Sequence, residues 1–174
     1  PPRSTLFPYT TLFRSDPDLF ALPIELAAAE TLEVVRRLDW PTGRRHLLGI
    51  EVDGTARFVL PAGPRTVGFR ADRVERAAAG LLLTDYKTGN SVVSEAVKAS
   101  TRQGHLAKSL AQGRWLQLPA YARAQVTQPA EGRLLFLKSD LEDDRREARF
   151  SAPAEGSAAD VADRQLWQTL FAAW

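Results

Sequence analysis

The sequence predicts an α/β fold, with helices packed on a mixed β-sheet. Three observations predict it. A stretch of helical period is followed by four strand-like stretches, then by a helix, a strand and a helix, the alternation of a layered α/β domain. The run Leu81-Leu82-Leu83 is consecutive rather than alternating, as suits a central strand. The chain has 174 residues, 44% apolar and 25% charged, enough for one domain with a real core.

The elements follow in order. Leu22 to Leu38 has helical spacing, with Leu22, Leu26, Ala29, Glu33 and Arg37 stepping round it and Leu32, Val35 and Leu38 adding an apolar side. Trp40-Pro41-Thr42-Gly43 stops it. His46 to Val52 and Ala56 to Leu60 read as strands joined at Asp53-Gly54, a good hairpin signal. Pro61-Ala62-Gly63-Pro64 is a turn. Thr66 to Arg76 alternates, with Val67, Phe69, Ala71 and Arg73 on one face and Gly68, Arg70, Asp72 and Val74 on the other. Gly80 to Lys87 is the central strand.

Residues 88–113 are polar and read as a mobile loop with helical pieces near Ser94 to Lys98 and His105 to Ala111. Trp115 to Val126 reads as a helix, with Leu116, Ala120 and Ala124 at spacing four. Gly132 to Ser139 is a fifth strand. The run Asp143-Asp144-Arg145-Arg146 reads as a solvated turn before a short strand near Ala148 to Phe150. Asp160 to Trp174 closes the chain as a helix with Val161, Leu166, Leu170 and Trp174 apolar.

Residues 1–15, PPRSTLFPYTTLFRS, fit none of this. Pro8 and Tyr9 break any signal-peptide apolar core, and Pro1, Pro2 and Pro8 argue against an amphipathic transit helix. Back-translated, the string resembles the end of a common short-read sequencing adapter. Residues 1–15 are therefore read as a non-native, adapter-derived segment, and residues 16–174 as one domain truncated at both ends. The chain contains no methionine, and its final helix stops without a cap, which fits a fragment. Without Arg3 and Arg14 the 23 basic residues become equal in number to the 21 acidic ones. The apparent basic balance is then no argument for nucleic-acid binding; only a local site can supply one. The absence of cysteine excludes disulfides, thiolate zinc sites and cysteine-held iron–sulfur ligands within this stretch. It suits a cytoplasmic protein. No apolar run approaches the ~18 residues that cross a bilayer.

Three short stretches carry chemistry: Gly68-Phe69-Arg70-Ala71-Asp72-Arg73, Asp85-Tyr86-Lys87-Thr88-Gly89 and Gln117-Leu118-Pro119-Ala120-Tyr121. Asp85 and Lys87 are two apart on one strand, so their side chains share a face. Asp72 lies on the preceding antiparallel strand, so two carboxylates and an ammonium can meet at one sheet edge. Two adjacent carboxylates repel as anions, and a divalent cation removes that penalty. Hard oxygen donors suit Mg²⁺ or Mn²⁺, which also bind phosphate oxygens. A neighbouring lysine can orient water or neutralise developing charge.

These stretches, in this order, resemble the PD-(D/E)XK nuclease superfamily. The likeness is greatest to its RecB-like branch, found at the C-terminal end of AddB- and RecB-type helicase–nuclease subunits. The resemblance covers about residues 44–140. It implies a restriction-endonuclease-like mixed sheet flanked by helices. It makes Asp72 and Asp85 metal ligands with the Tyr86 carbonyl, Lys87 the catalytic lysine, and Gln117 and Tyr121 site- or DNA-facing residues of one helix. The family's further acidic ligand on the first strand would be Glu51, with Asp53 as the alternative. His46 does not match the histidine that some members carry on an earlier helix. AddB-like members often hold an iron–sulfur cluster, for which this stretch has no cysteine.

The resemblance implies a Mg²⁺-dependent deoxyribonuclease, an exonuclease above all, acting on DNA within a helicase–nuclease of double-strand-break repair and recombination, with a partner subunit or fused helicase and no membrane. The alternatives are a non-catalytic DNA-handling or docking module of the same fold, or a stand-alone RecB-like exonuclease. Each residue also has a plainer role open to it. Asp72–Arg73 and Glu51–Arg57 can be surface ion pairs, Gln117 a helix-end residue, Tyr121 core, and His46 and His105 ordinary polar residues. Arg102, Lys108 and Arg114 are candidates for phosphate contact or for solvation alone.

Overall fold

A computed structural model describes residues 17–40, 46–92, 98 and 101–173, with side chains from residue 25 onward. The adapter-like residues 1–15 and the helical piece expected at 94–98 (residue 98 apart) lie outside the described residues. The chain divides into two units, Pro1–Trp40 and Pro41–Trp174.

The first unit holds helix α1, Pro17–Leu38, which begins five residues before the expected Leu22. Arg36 and Arg37 occupy its last turn, where cations offset the carbonyl end of the helix dipole. It ends where the amides of Asp39 and Trp40 both donate to the Val35 carbonyl.

The second unit is built on a five-stranded mixed sheet of order β1-β2-β3-β4-β5. The strands are β1 (His46–Leu60), β2 (Gly63–Ala77), β3 (Gly80–Lys87), β4 (Ala130–Phe136) and β5 (Glu147–Ser151). β1–β2, β2–β3 and β4–β5 are antiparallel, and β3–β4 is parallel. The parallel crossover carries α2 (Arg102–Ala111) and α3 (Gln117–Ala122), and α4 (Ala158–Ala172) closes the chain.

The hairpin expected at Asp53-Gly54 does not exist. β1 runs unbroken for 15 residues, and the reversal comes at Pro61-Ala62. Gly54 pairs with Phe69, whose ring lies over it: a Cβ on Gly54 would stand 2.5 Å from the ring. The glycine makes room for a cross-strand aromatic ring, and its turn propensity goes unused.

α3 has 6 residues, not the dozen expected over Trp115 to Val126. It ends because β1 captures the following chain. Arg57 N–H donates to the Arg123 carbonyl at 3.1 Å and Gln125 N–H to the Thr55 carbonyl at 2.8 Å. So short a helix is unstable alone; packing seats it. Leu118, Ala120 and Tyr121 are buried, Ala120 against Phe58 and Trp167 and Leu118 against Leu134 and Phe136. Full burial of each large apolar side chain is worth about 1.5–3 kcal/mol. A Cβ on Gly132 would meet the Leu118 carbonyl oxygen at 2.2 Å, so the closeness of α3 to β4 depends on that glycine.

The charged run at 143–146 is not a solvated turn. It forms a 3₁₀ turn, Asp143–Arg145, and Arg145 and Arg146 are buried. Arg146 donates to the carbonyls of Phe136, Lys138, Ser139 and Leu141 and to Asp143 Oδ1. One guanidinium thus gathers the orphan carbonyls where β4 ends, which explains its burial. In α4, which starts two residues earlier than expected, Ser157 caps the helix by accepting from Asp160 N–H at 3.1 Å. Trp167 packs on Phe58 with ring centroids 4.6 Å apart. Among the described residues no helix is long and apolar enough to cross a membrane.

Candidate active site

The site forms where β2 and β3 part. Their pairing runs from Ala77↔Gly80 to Arg73↔Thr84 and stops. One residue further along, Asp72 lies opposite Asp85, and the Asp72 side chain takes over the missing pairing. Its Oδ2 accepts the Tyr86 backbone N–H at 2.7 Å. On its other side β3 is still held, because Leu137 N–H donates to the Lys87 carbonyl at 2.7 Å. Alternation then turns the Tyr86 N–H and carbonyl toward the Asp72 side.

Asp85 and Lys87 share a face, and Lys87 Nζ stands 2.6 Å from Asp85 Oδ2. Asp85 is only 8% exposed. Burial pushes its carboxyl above the ordinary carboxylate range, the Lys87 ammonium opposes the rise and the Asp72 charge adds to it. The Lys87 ammonium is the close partner of Asp85 Oδ2, a charge-assisted contact within one face of β3.

Tyr121 enters from α3. Its hydroxyl lies 2.8 Å from the Arg70 carbonyl, to which it donates, and 3.4 Å from Asp85 Oδ1. Its ring meets Phe69 edge-on at 5.1 Å. Burial, with the Asp85 and Asp72 charges, pushes the phenol well above its ordinary range, so it stays protonated. Tyr121 is fully buried, so it faces the carboxylates and not a DNA surface. Gln117, at the start of the same helix, is half-buried.

Glu51 falls opposite Asp72 in the β1–β2 register, between Ile50↔Arg73 and Val52↔Ala71, yet its carboxylate is engaged by Arg70. Glu51 is exposed, has a φ of 50° and pairs with Arg70 at 2.8 Å, not with Arg57. Asp53 stands directly opposite Arg70 in the β1–β2 register. Among the described residues no third Asp, Glu, His or Cys joins Asp72 and Asp85. His46 and His105 are exposed. Arg102 is held by Asp144, and Lys108 and Arg114 are exposed.

The donor set still fits one hard divalent cation: two adjacent carboxylates that repel each other as anions, and a carbonyl directed to their side. Sequence reasoning missed Arg70, which binds Glu51 through its side chain and Tyr121 through its carbonyl. The one signal was its position two residues before Asp72. It also missed the buried pair Arg73–Glu75, 2.8 Å apart beside the site.

No protein-family model and no curated protein matches the chain. The chain is similar to a solved structure, described as a crystal structure of SSO0001, with 16% identity and a TM-score of 0.40. The match covers 88% of this chain and spans 60% of that one.

Proposed function

We propose that this chain is a restriction-endonuclease-like domain of the PD-(D/E)XK type that hydrolyses DNA phosphodiester bonds with Mg²⁺ or Mn²⁺. The observation that carries the reading is the pairing of Asp72 with Asp85 at the parting of β2 and β3, with Lys87 Nζ 2.6 Å from Asp85. Two mutually repelling carboxylates, one of them buried, are costly to a fold and recur where a cation is held.

Asp72, Asp85 and the Tyr86 carbonyl would hold the metal. When bound, it polarises a phosphate oxygen and acidifies water. Lys87 positions a water for attack and neutralises charge on the phosphate as it builds. Tyr121 keeps Asp85 in place from behind, while its link to the Arg70 carbonyl fixes the β1–β2 hairpin to the same point. Asp72 fixes the Tyr86 amide and with it the orientation of the β3 end. The resemblance of the three motifs to the RecB-like branch favours an exonuclease within a cytoplasmic helicase–nuclease of DNA repair and recombination. The test is cleavage of single- and double-stranded DNA with Mg²⁺ or Mn²⁺, comparing wild type with Asp85→Ala and Lys87→Ala. Equal activity of the three would remove the site assignment.

A further inference from the structure

A second cleft opens on the far edge of the sheet, between α2, the 3₁₀ turn and edge strand β5. Its volume is about 230 Å³. Three arginines from three elements line it: Arg102 from the start of α2, Arg145 from the 3₁₀ turn and Arg149 from β5. Gln103 adds an amide, and Leu106 is among its apolar wall residues.

The balance of charge on these walls is positive. Glu147 is the carboxylate among the lining residues, and it is shared: Arg133 Nε stands 3.0 Å from it and Arg149 Nε 3.1 Å, while Arg149 also reaches Glu131 at 3.1 Å. Glu142 and Asp144, which pair with Arg145 and Arg102, are not lining residues and are largely exposed. Arg145 is 5% exposed, while Glu142, 3.7 Å away, is 77% exposed. Arg102 gives its terminal nitrogens to Asp144, which is also largely exposed. Its Nε is buried without a hydrogen-bond partner among the described residues. Three guanidiniums lining one cleft match the planar, multi-donor chemistry that binds phosphate oxygens.

The register locates the cleft relative to the carboxylates. Asp85 pairs with Leu134, and Leu134 with Ala148, which lines the cleft. The two sites are therefore two strand spacings apart, about 10 Å across the sheet. We propose that this cleft binds a phosphate of the nucleic-acid strand, close to the phosphate under attack at Asp72 and Asp85. The proposal rests on the nuclease reading and adds to it the grip on the substrate backbone.

The experiment uses the Asp85→Asn chain in EDTA, where DNA stays intact. Binding of a fluorescein-labelled single-stranded oligodeoxynucleotide is followed by anisotropy across a salt series. Each lost phosphate contact lowers the slope of log affinity against log salt by about 0.7. Arg102→Gln and Arg149→Gln should each lower the slope by about that amount. Arg149 is partly exposed, so its variant guards against a folding loss at Arg102. An unchanged slope in both variants, with folding verified by thermal unfolding, would overturn the proposal. So would variants that lose competition by a deoxynucleoside monophosphate but keep the oligonucleotide slope, because the cleft would then take free nucleotide. The readout needs no catalysis. A chain that cleaves DNA but shows no slope change loses only the cleft, and one with the slope change but no metal-dependent cleavage loses only the nuclease reading.

Discussion

Tyr121→Phe separates the two jobs of one hydroxyl. The substitution keeps the ring, so the edge-on contact with Phe69 at 5.1 Å survives. It removes a partly buried 2.8 Å hydrogen bond and leaves the Arg70 carbonyl without its Tyr121 donor. Losing a net hydrogen bond of about 1 kcal/mol, with the cost of an acceptor stripped of its donor, destabilises by about 1–3 kcal/mol. For a unit of this size that is a fall in melting temperature of roughly 4–12 °C. The same hydroxyl stands 3.4 Å from Asp85 Oδ1, so the carboxylate loses a restraint. A loosened ligand shows in kcat, because Tyr121 is fully buried and touches no substrate. The expected result is a lower melting temperature and a kcat reduced about tenfold, equivalent to ~1.4 kcal/mol, with KM unchanged. A raised KM with unchanged kcat would place Tyr121 at the DNA surface and refute this reasoning. An unchanged melting temperature would refute the hydrogen-bond argument.

Three further outcomes follow from the same geometry. Asp85 has a carboxyl raised above its ordinary 3.8 by burial, so it contributes stability that is present below that value and lost as pH rises through the raised one. Metal-free Asp85→Asn should therefore unfold at a higher temperature than wild type at pH 7, with the gap closing as pH falls toward the ordinary carboxyl value; thermal unfolding across pH checks both. Arg146→Met should cost about 3–5 kcal/mol in urea unfolding, because the carbonyls of Phe136, Lys138, Ser139 and Leu141 lose a shared charged donor. Gly132→Ala should cost about 1–3 kcal/mol by pushing α3 off β4, and cleavage should fall with it because Tyr121 rides on that helix.

The layered α/β order and the central strand were legible because apolar periodicity is local. The Leu81-Leu82-Leu83 run and the placement of Asp85 and Lys87 two apart on one strand needed only neighbouring residues. What was hidden depended on distant ones. Asp53-Gly54 carries turn chemistry, yet Phe69 from the opposite strand decides its conformation. Arg146 belongs to a charge run that looks solvated until the carbonyls ending β4 are placed round it. Glu51 was the natural first-strand ligand by motif and falls opposite Asp72 in the register, but its φ is positive and its carboxylate pairs with the Arg70 guanidinium. The arginine cleft draws on three elements far apart in sequence, which no local pattern signals.

The central claim is that Asp72, Asp85 and Lys87 form a metal-dependent hydrolytic centre without Glu51. The most direct measurement is Mg²⁺- or Mn²⁺-dependent cleavage of a labelled DNA by the purified chain and by single alanine variants at Asp72, Asp85, Lys87 and Glu51, in metal and in EDTA. The account predicts cleavage by wild type and Glu51→Ala only with metal, and a loss of a hundredfold or more, about 2.7 kcal/mol, in the other three. Full activity in Asp85→Ala or Lys87→Ala, or undiminished cleavage in EDTA, would contradict it.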